Sequence, residues 1–413
     1  MAEIAMVDSD RSADKSRARL PLSGTQSPSG ANQTRRTYLA ALLILLTSRL
    51  VVALAVVFSS KFVQRAPGEI FTDVTPRWYR YLLRWDAGWY LKIAHEGYSY
   101  NGNDLTQQPV VFYPLYPLIS KAVATVLGIS EAAALLIVSN VAILITALLF
   151  FKLVKDEYGD EIALYATAAL CFFPASLFFS VGYTESLALL LIVTFFLLLR
   201  RERYLLASIA AGLTLATRST GIVLCLPLLF EIWRRRGRKP GRAIPMAAAC
   251  LTLATSGLWL YMIYLWAAFR SPFAFTTNVR AWVGPLRGSS LIEVCTLQPF
   301  RHLADIWKFG PDPNTLSPWI FLLALSLIIC FRKRLTTSLF VYSLGVLLLP
   351  YLTLSGSVGF VSFTRYAMLA FPMFVFAGTI FQKRVWLGFS IIGLAGAMLF
   401  MYTAFYVQWY WAG

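Results

Sequence analysis

The stretch YLAALLILLTSRLVVALAVVF, residues 38–58, decides the fold class. A helix over this run is about 30 Å long, the thickness of the hydrocarbon core of a bilayer. Ten further apolar runs follow, at about 131–151, 162–181, 185–199, 204–217, 220–232, 243–268, 316–331, 336–354, 364–381 and 385–407. Of the 413 residues, 58% are hydrophobic and only 14% charged, with a mean hydropathy of +0.64. A soluble domain is nearer half apolar and a quarter charged. The expected fold is therefore an all-α polytopic membrane protein of about eleven transmembrane helices, with juxtamembrane helices in its first outer loop.

Residues 1–37 are polar, rich in Ser, Arg and Asp, and broken by Pro21, Gly24, Pro28 and Gly30. Such a segment cannot bury a core and is predicted to be a disordered cytoplasmic tail. It is too long and too polar for a signal peptide. The rest, 38–413, is read as one transmembrane domain, with 59–130 as the first outer loop.

The formal charge is +17. Lys and Arg collect in short loops between the apolar runs, a distribution that orients membrane spans and suits anionic lipid rather than nucleic acid. Arg35-Arg36, Lys152 with Lys155, Arg200 to Arg203, Arg234 to Lys239, Arg332 to Arg334 and Lys383-Arg384 can all face the cytoplasm together. That arrangement needs eleven spans, an inner N-terminus and an outer C-terminus. It also needs 204–232 to be a hairpin of two short helices turning at Arg218-Ser219-Thr220-Gly221. Treating 110–127 as a full span is the alternative, but Pro114, Pro117 and Lys121 favour a juxtamembrane or re-entrant helix. In the eleven-span topology the unusual polar segments, 59–130, 182–185, 218–220, 269–315 and 355–366, share the outer face. Five scattered cysteines without CxxC spacing exclude a disulfide framework. With only His95 and His302 present, no metal ligand set is assigned, and the sequence names no cofactor, although a divalent cation stays open.

Ionisable residues inside apolar spans are costly and mark function. Arg84-Trp85-Asp86-Ala87-Gly88-Trp89-Tyr90 places a carboxylate among aromatic rings in the outer loop. An interfacial aromatic belt with Asp86 paired to Arg84 is the plainer reading. The other candidate acids of this loop are Glu69, Asp73 and Glu96. If the segment is helical, Asp86 and Tyr90 share a face. Aromatic faces beside Arg and Lys suit a sugar next to a phosphate. Phe112-Tyr113-Pro114-Leu115-Tyr116-Pro117 opens a helix and either marks the interface or lines a cavity. Pro174 should kink its span. In Tyr183-Thr184-Glu185-Ser186, Thr184 can cap the next helix, with Glu185 in its favoured first turn. Arg218 in an apolar hairpin needs an anion, either Glu185 or a ligand phosphate. Arg365 in Ser362-Phe363-Thr364-Arg365-Tyr366 has the same two readings, and Tyr366 can bond a phosphate oxygen.

Taken in order, these segments resemble the PIG-V family of mannosyltransferases and its bacterial relatives. The resemblance rests on Arg84-Trp85-Asp86 to Gly97-Tyr98, Phe112 to Pro117, Phe173-Pro174-Ala175-Ser176, Tyr183 to Leu187, Thr217-Arg218 to Gly221 and Arg365-Tyr366 to Phe371-Pro372, spanning about 84–372. It implies a GT-C glycosyltransferase that takes a sugar, mannose by family, from a polyprenyl-phosphate carrier on the outer face of a bacterial plasma membrane. The acceptor would be a glycolipid, glycan or protein. The resemblance assigns the family's base to Asp86. Two departures leave the acceptor open. Asp86 is followed by Ala87-Gly88, where many GT-C enzymes pair two acids, and Trp89-Tyr90 stands where eukaryotic members tend to have His-Phe.

Transfer from a phosphate needs a base for the acceptor hydroxyl and cations for the leaving group. One carboxylate suffices for inversion. The expected roles are Asp86 as base, with Arg218, Arg365, Tyr366 and Lys92 at the donor phosphate. Arg84, Trp85, Trp89, Tyr90, Tyr113, Tyr116, Tyr183 and Glu185 would line the substrate cavity. The rival class is a transporter or flippase of lipid-linked sugars, which would show internal repeats and midplane charges; no repeat is visible.

Overall fold

The structure is a computed structural model that describes residues 28–67, 79–236, 240–283, 316–358 and 362–411, together with Phe360 and a few positions between 292 and 303. Among the described residues there are fourteen α-helices of seven residues or more and no strand. In chain order they are α1 (Pro28–Phe62), α2 (Asp86–Glu96), α3 (Leu115–Leu127), α4 (Glu131–Tyr158), α5 (Asp160–Cys171), α6 (Glu185–Arg200), α7 (Tyr204–Leu215), α8 (Cys225–Arg236), α9 (Pro240–Phe269), α10 (Ser317–Cys330), α11 (Thr337–Val358), α12 (Phe363–Leu369), α13 (Pro372–Lys383) and α14 (Val385–Val407). Every apolar run of the sequence falls on one or two of them. The first helix starts at Pro28, so the tail expected to be disordered through residue 37 is helical over its last part; residues 1–27 lie outside the described residues.

Four described helices, Asn32–Phe62 of α1, Glu131–Tyr158, Ala243–Phe269 of α9 and Val385–Val407, are long and apolar enough to cross a membrane. α12 and α13 would make a fifth span, bent by 74° at their junction. Leu39, Leu43, Leu46, Leu50 and Leu54 form an exposed leucine stripe along α1. In water such a stripe would be costly, whereas lipid tails solvate it. α3 has only 13 residues, as its two prolines and Lys121 suggest.

The runs 162–181, 220–232 and 364–381 are broken, and the breaks have local causes. Pro174 ends α5 early, and Pro174–Phe179 follows as a 3-10 turn. Arg49, half-buried in the middle of α1, repairs that break. Its guanidinium donates to the carbonyls of Cys171 (3.0 Å) and Ser176 (2.7 Å) and to the hydroxyls of Ser176 and Ser180. Unpaired carbonyls within the bilayer would otherwise cost several kcal/mol each. The hairpin 204–232 turns at Ala216–Arg218 and re-enters through a 3-10 turn, Ser219–Leu224. Gly221 fits there because a Cβ would come within 2.5 Å of the Leu215 nitrogen. α7 packs on α9 backbone to backbone: a Cβ on Gly257 would meet the Gly212 carbonyl at 2.2 Å. Small residues at such crossings let membrane helices approach closely. The run 364–381, expected to be continuous, is broken at Ala370-Phe371. Ala370 leaves helical geometry at φ −73, ψ 55, Pro372 has no amide hydrogen with which to continue the helical ladder, and Tyr342 donates to the Leu369 carbonyl at 2.9 Å.

Candidate active site

The N-terminal ends of α2, α6 and α12 meet the turn that precedes the Ser219–Leu224 segment, and four charged side chains converge there. Glu185, in the first turn of α6, is completely buried. One of its oxygens, Oε1, accepts from Arg365 Nε at 2.6 Å and from Arg218 Nη1 at 2.5 Å. Arg365 Nη1 also donates to Asp86 Oδ2 at 3.0 Å. The order across the site is thus Asp86, Arg365, Glu185, Arg218, two negative and two positive groups with no net charge. The charges are paired because unpaired ones could not be kept out of water at this depth.

Exposure grades along this chain. Glu185 is sealed and Arg365 nearly so, with 6% of its side chain exposed, while Arg218 keeps 11% and Asp86 20%. Asp86 is therefore the accessible carboxylate of the pair, and among the described residues its Oδ1 has no hydrogen-bond partner. Arg365 is further held over the rings of Tyr183 (4.8 Å) and Phe178 (5.0 Å), and Arg218 faces the Tyr366 ring at 5.5 Å. These are cation–π distances.

Several sequence expectations are met in this geometry. Asp86 opens α2 with Tyr90 four residues on, and Tyr90 lies within electrostatic reach of all four charges. Burial first, and then the negative charge of Asp86, push the Tyr90 phenol well above its ordinary value, so it stays protonated and can only serve as a neutral hydrogen-bonding group. Arg218 finds Glu185, one of the two anions considered for it.

Other expectations are corrected. Thr184 does not cap α6; its hydroxyl instead accepts from Arg218 at 3.1 Å. Tyr116 is fully buried, with its hydroxyl spent on the Leu135 carbonyl and Ser139, so it is core rather than cavity wall. Tyr113 packs in a separate aromatic cluster with Tyr261 and Phe275. Trp89 stacks on Phe112 and meets Trp282 edge-on. Lys92 is exposed and lies near the Trp89 ring; it sits more than one turn past Asp86 and does not join the arginines. Arg84 does not pair with Asp86. Its side chain turns to the Val407 carbonyl and the Trp409 ring. Trp85 packs edge-on against Trp409 and Trp411. Tyr183 is fully buried and supports the site from beneath: its hydroxyl accepts from the Asp86 amide (3.2 Å) and donates to the Arg84 carbonyl (3.3 Å). Glu69, Asp73 and His302 lie outside the described residues. Among the described residues, no three His, Cys, Asp or Glu side chains are grouped to hold a metal. Asp86 and Glu185 are bridged by a guanidinium, which occupies the place a cation would take.

Three participants were not found from sequence: Thr184 as a ligand of Arg218, Tyr406 beneath Arg84, and Arg49. Only Arg49 carried a signal, a lone cation in an apolar run. Comparison with known proteins adds a partial family match. Residues 34–232 match the family described as Mannosyltransferase (PIG-V), a stretch that contains Asp86, Tyr183, Glu185 and Arg218.

Over that stretch the chain is similar to the PIG-V family.

Curated relatives are partial matches. GPI mannosyltransferase 2 of Drosophila pseudoobscura pseudoobscura is 35% identical over 115 residues, 25% of this chain and 24% of the relative. The Drosophila melanogaster protein of the same name is 27% identical over 211 residues, 46% of this chain and 45% of its own length. The chain thus spans less than half the length of these relatives. Among solved structures, the Archaeoglobus fulgidus oligosaccharyltransferase gives a loose likeness, with 13% identity and a TM-score of 0.43 over 89% of this chain and 56% of that one. Arg365 lies beyond the PIG-V match, and the fold brings it to Asp86 across 279 positions of sequence.

Proposed function

We propose that this chain is an integral-membrane glycosyltransferase of GT-C type. In this reading it moves mannose from a polyprenyl-phosphate carrier to an acceptor hydroxyl, with inversion, on the outer face of a bacterial plasma membrane. Eleven spans, an inner N-terminus and an outer C-terminus complete the picture. The observation that carries the reading is the Asp86–Arg365–Glu185–Arg218 chain, with its accessible acid at one end and an accessible arginine at the other, three of its four members within the PIG-V match.

The charge balance suits the reaction. Asp86 Oδ1 takes the proton of the acceptor hydroxyl as the acceptor oxygen attacks the anomeric carbon. The bond from that carbon to the phosphate oxygen breaks, and the electron pair leaves with the carrier phosphate. The phosphodiester donor has one negative charge and the departing phosphate monoester has two. Protonating Asp86 removes one negative charge from the partner of Arg365 as that second charge develops. The site then changes from neutral to positive in step with the leaving group, the kind of preorganised compensation that lowers a barrier. Arg218, with Tyr366 beside it, supplies the second cation. The apolar flanks of the bundle would hold the polyprenyl tail.

The test is direct. The purified chain in nanodiscs is given radiolabelled polyprenyl-phosphate mannose and membranes of a strain lacking the gene. Transfer of label to a lipid, glycan or protein fraction supports the reading. Intact donor, or label moved across a vesicle bilayer without bond cleavage, replaces it with the transporter reading.

A further inference from the structure

Trp85, the residue before Asp86, has φ 54 and ψ −124. A bulky non-glycine residue persists in such backbone geometry only where its surroundings over-determine it, and such residues gather at functional sites. The surroundings in this case come from the far end of the chain. The Tyr406 hydroxyl accepts from the Arg84 amide at 3.1 Å and donates to the Arg84 carbonyl at 3.0 Å, so a single group fixes both polar atoms of one peptide residue. Arg84 Nε donates to the Val407 carbonyl at 3.3 Å, and its guanidinium lies 4.5 Å from the Trp409 ring centre. The Trp85 ring meets Trp409 and Trp411 edge-on at 5.8 and 5.1 Å. This end of α14 is itself anchored on α1. Ser59 donates to the Ala404 carbonyl, Gln408 to the Ser59 carbonyl, and the Ala66 amide to the Gln408 carbonyl.

Tyr406 is 1% exposed and its hydroxyl is fully used by Arg84, so it cannot touch a substrate. Its ring nevertheless stands 6.1 Å from that of Tyr183, whose hydroxyl holds both the Arg84 carbonyl and the Asp86 amide. We infer that the C-terminal end of α14, through Tyr406, is a clamp that sets the backbone of Arg84-Trp85 and so aims Asp86, making Tyr406 a positioning residue for the base. This inference rests on the glycosyltransferase reading above.

The test uses Tyr406→Phe in the full chain, which removes both hydrogen bonds and keeps the ring. Two readouts separate the clamp from the reading beneath it. Hydrogen exchange over residues 82–90 should quicken by about five- to ten-fold, the equivalent of the one hydrogen bond lost outright while Tyr183 still holds the Arg84 carbonyl, with α4 unchanged. Turnover with radiolabelled polyprenyl-phosphate mannose should fall about ten- to hundred-fold, as a small misplacement of a reacting group does, with KM for that donor within about two-fold. Because Tyr183 and Tyr406 hold the same carbonyl and each covers for the other, Tyr183→Phe/Tyr406→Phe should lose more than the product of the two single losses. Unchanged exchange over 82–90 overturns the clamp, and so does quickened exchange with wild-type turnover. KM rising in step with the loss of turnover, or α4 loosening as well, would mean a general packing role and would also overturn it. If the wild type transfers nothing, the functional reading falls and takes the catalytic meaning of the clamp with it; the exchange readout still decides whether α14 fixes this turn. Trp411→Ala, which leaves Tyr406 in place, should give the same pattern more weakly.

Discussion

Replacing Glu185 by glutamine would test whether the buried charge chain is the keystone of the fold or only a consequence of it. Glu185 is fully buried, and one of its oxygens carries two guanidinium bonds, at 2.5 and 2.6 Å. Each bond to a charged partner contributes about 1.5–3 kcal/mol. A neutral amide oxygen keeps the geometry but only about half of that strength. The two bonds together then lose about 1.5–3 kcal/mol. Arg218 and Arg365 are also left with Asp86 as their one counter-charge, which moves the total toward the 3–5 kcal/mol typical of breaking a buried pair. We therefore expect Glu185→Gln to cost about 3 kcal/mol, measured by detergent titration in mixed micelles with tryptophan fluorescence. Glu185→Gln/Arg218→Gln restores neutrality and should recover more than half of the loss, because the remaining Asp86–Arg365 pair balances. A Glu185→Gln protein within about 0.5 kcal/mol of wild type would refute the argument. So would a double variant weaker by the full sum of the single losses, since independent sites add and coupled ones do not.

Asp86→Asn should cut turnover by about 10²–10⁴-fold, the usual contribution of a general base, while donor binding in equilibrium titration changes little; Asp73→Asn should cost much less, and the reverse order would move the base to Asp73. Arg218→Ala is expected to weaken donor binding by about 1.5–3 kcal/mol, with Arg218→Lys recovering only part because it cannot bond Glu185 and a phosphate with one planar fork; unchanged affinity in the alanine variant would make Arg218 purely structural. Gly257→Ala places a methyl 2.2 Å from the Gly212 carbonyl and should destabilise the α7–α9 crossing by about 1–3 kcal/mol, seen as a lower midpoint in the same detergent titration. A midpoint equal to wild type would mean that these helices separate without strain. Single-cysteine labelling should find positions near Arg236 and Arg334 inside and Asp86 and Trp409 outside; an inner Asp86 would overturn the outer-face site.

The sequence made the helices and the participants of the site legible, but not their pairing. Apolar runs read as helices because hydrocarbon leaves the backbone no other way to satisfy itself, and that rule is local. Asp86, Glu185, Arg218 and Arg365 stood out for the same reason, since charge at the edge of an apolar run is costly wherever it sits. Which arginine meets which acid depends on how α2, α6 and α12 end in space, and no local pattern encodes that. Tyr116 and Tyr113 show the opposite failure. Their proline-flanked motif looked like a cavity wall, but Ser139 and Tyr261, far along the chain, drew them into the interior. Tyr406 had no signal at all, because a tyrosine in an aromatic-rich last span reads as packing until a backbone 322 positions away needs both a donor and an acceptor. Arg49 is the instructive middle case. A lone cation in an apolar helix implies an anion or a set of carbonyls, and Pro174, which frees carbonyls by ending α5, was visible in the same sequence. The two facts explain each other only when joined: the proline breaks the helix, the arginine pays the broken backbone's polar debt, and the short 3-10 turn between them leads the chain into Tyr183 and Glu185, where the site is built.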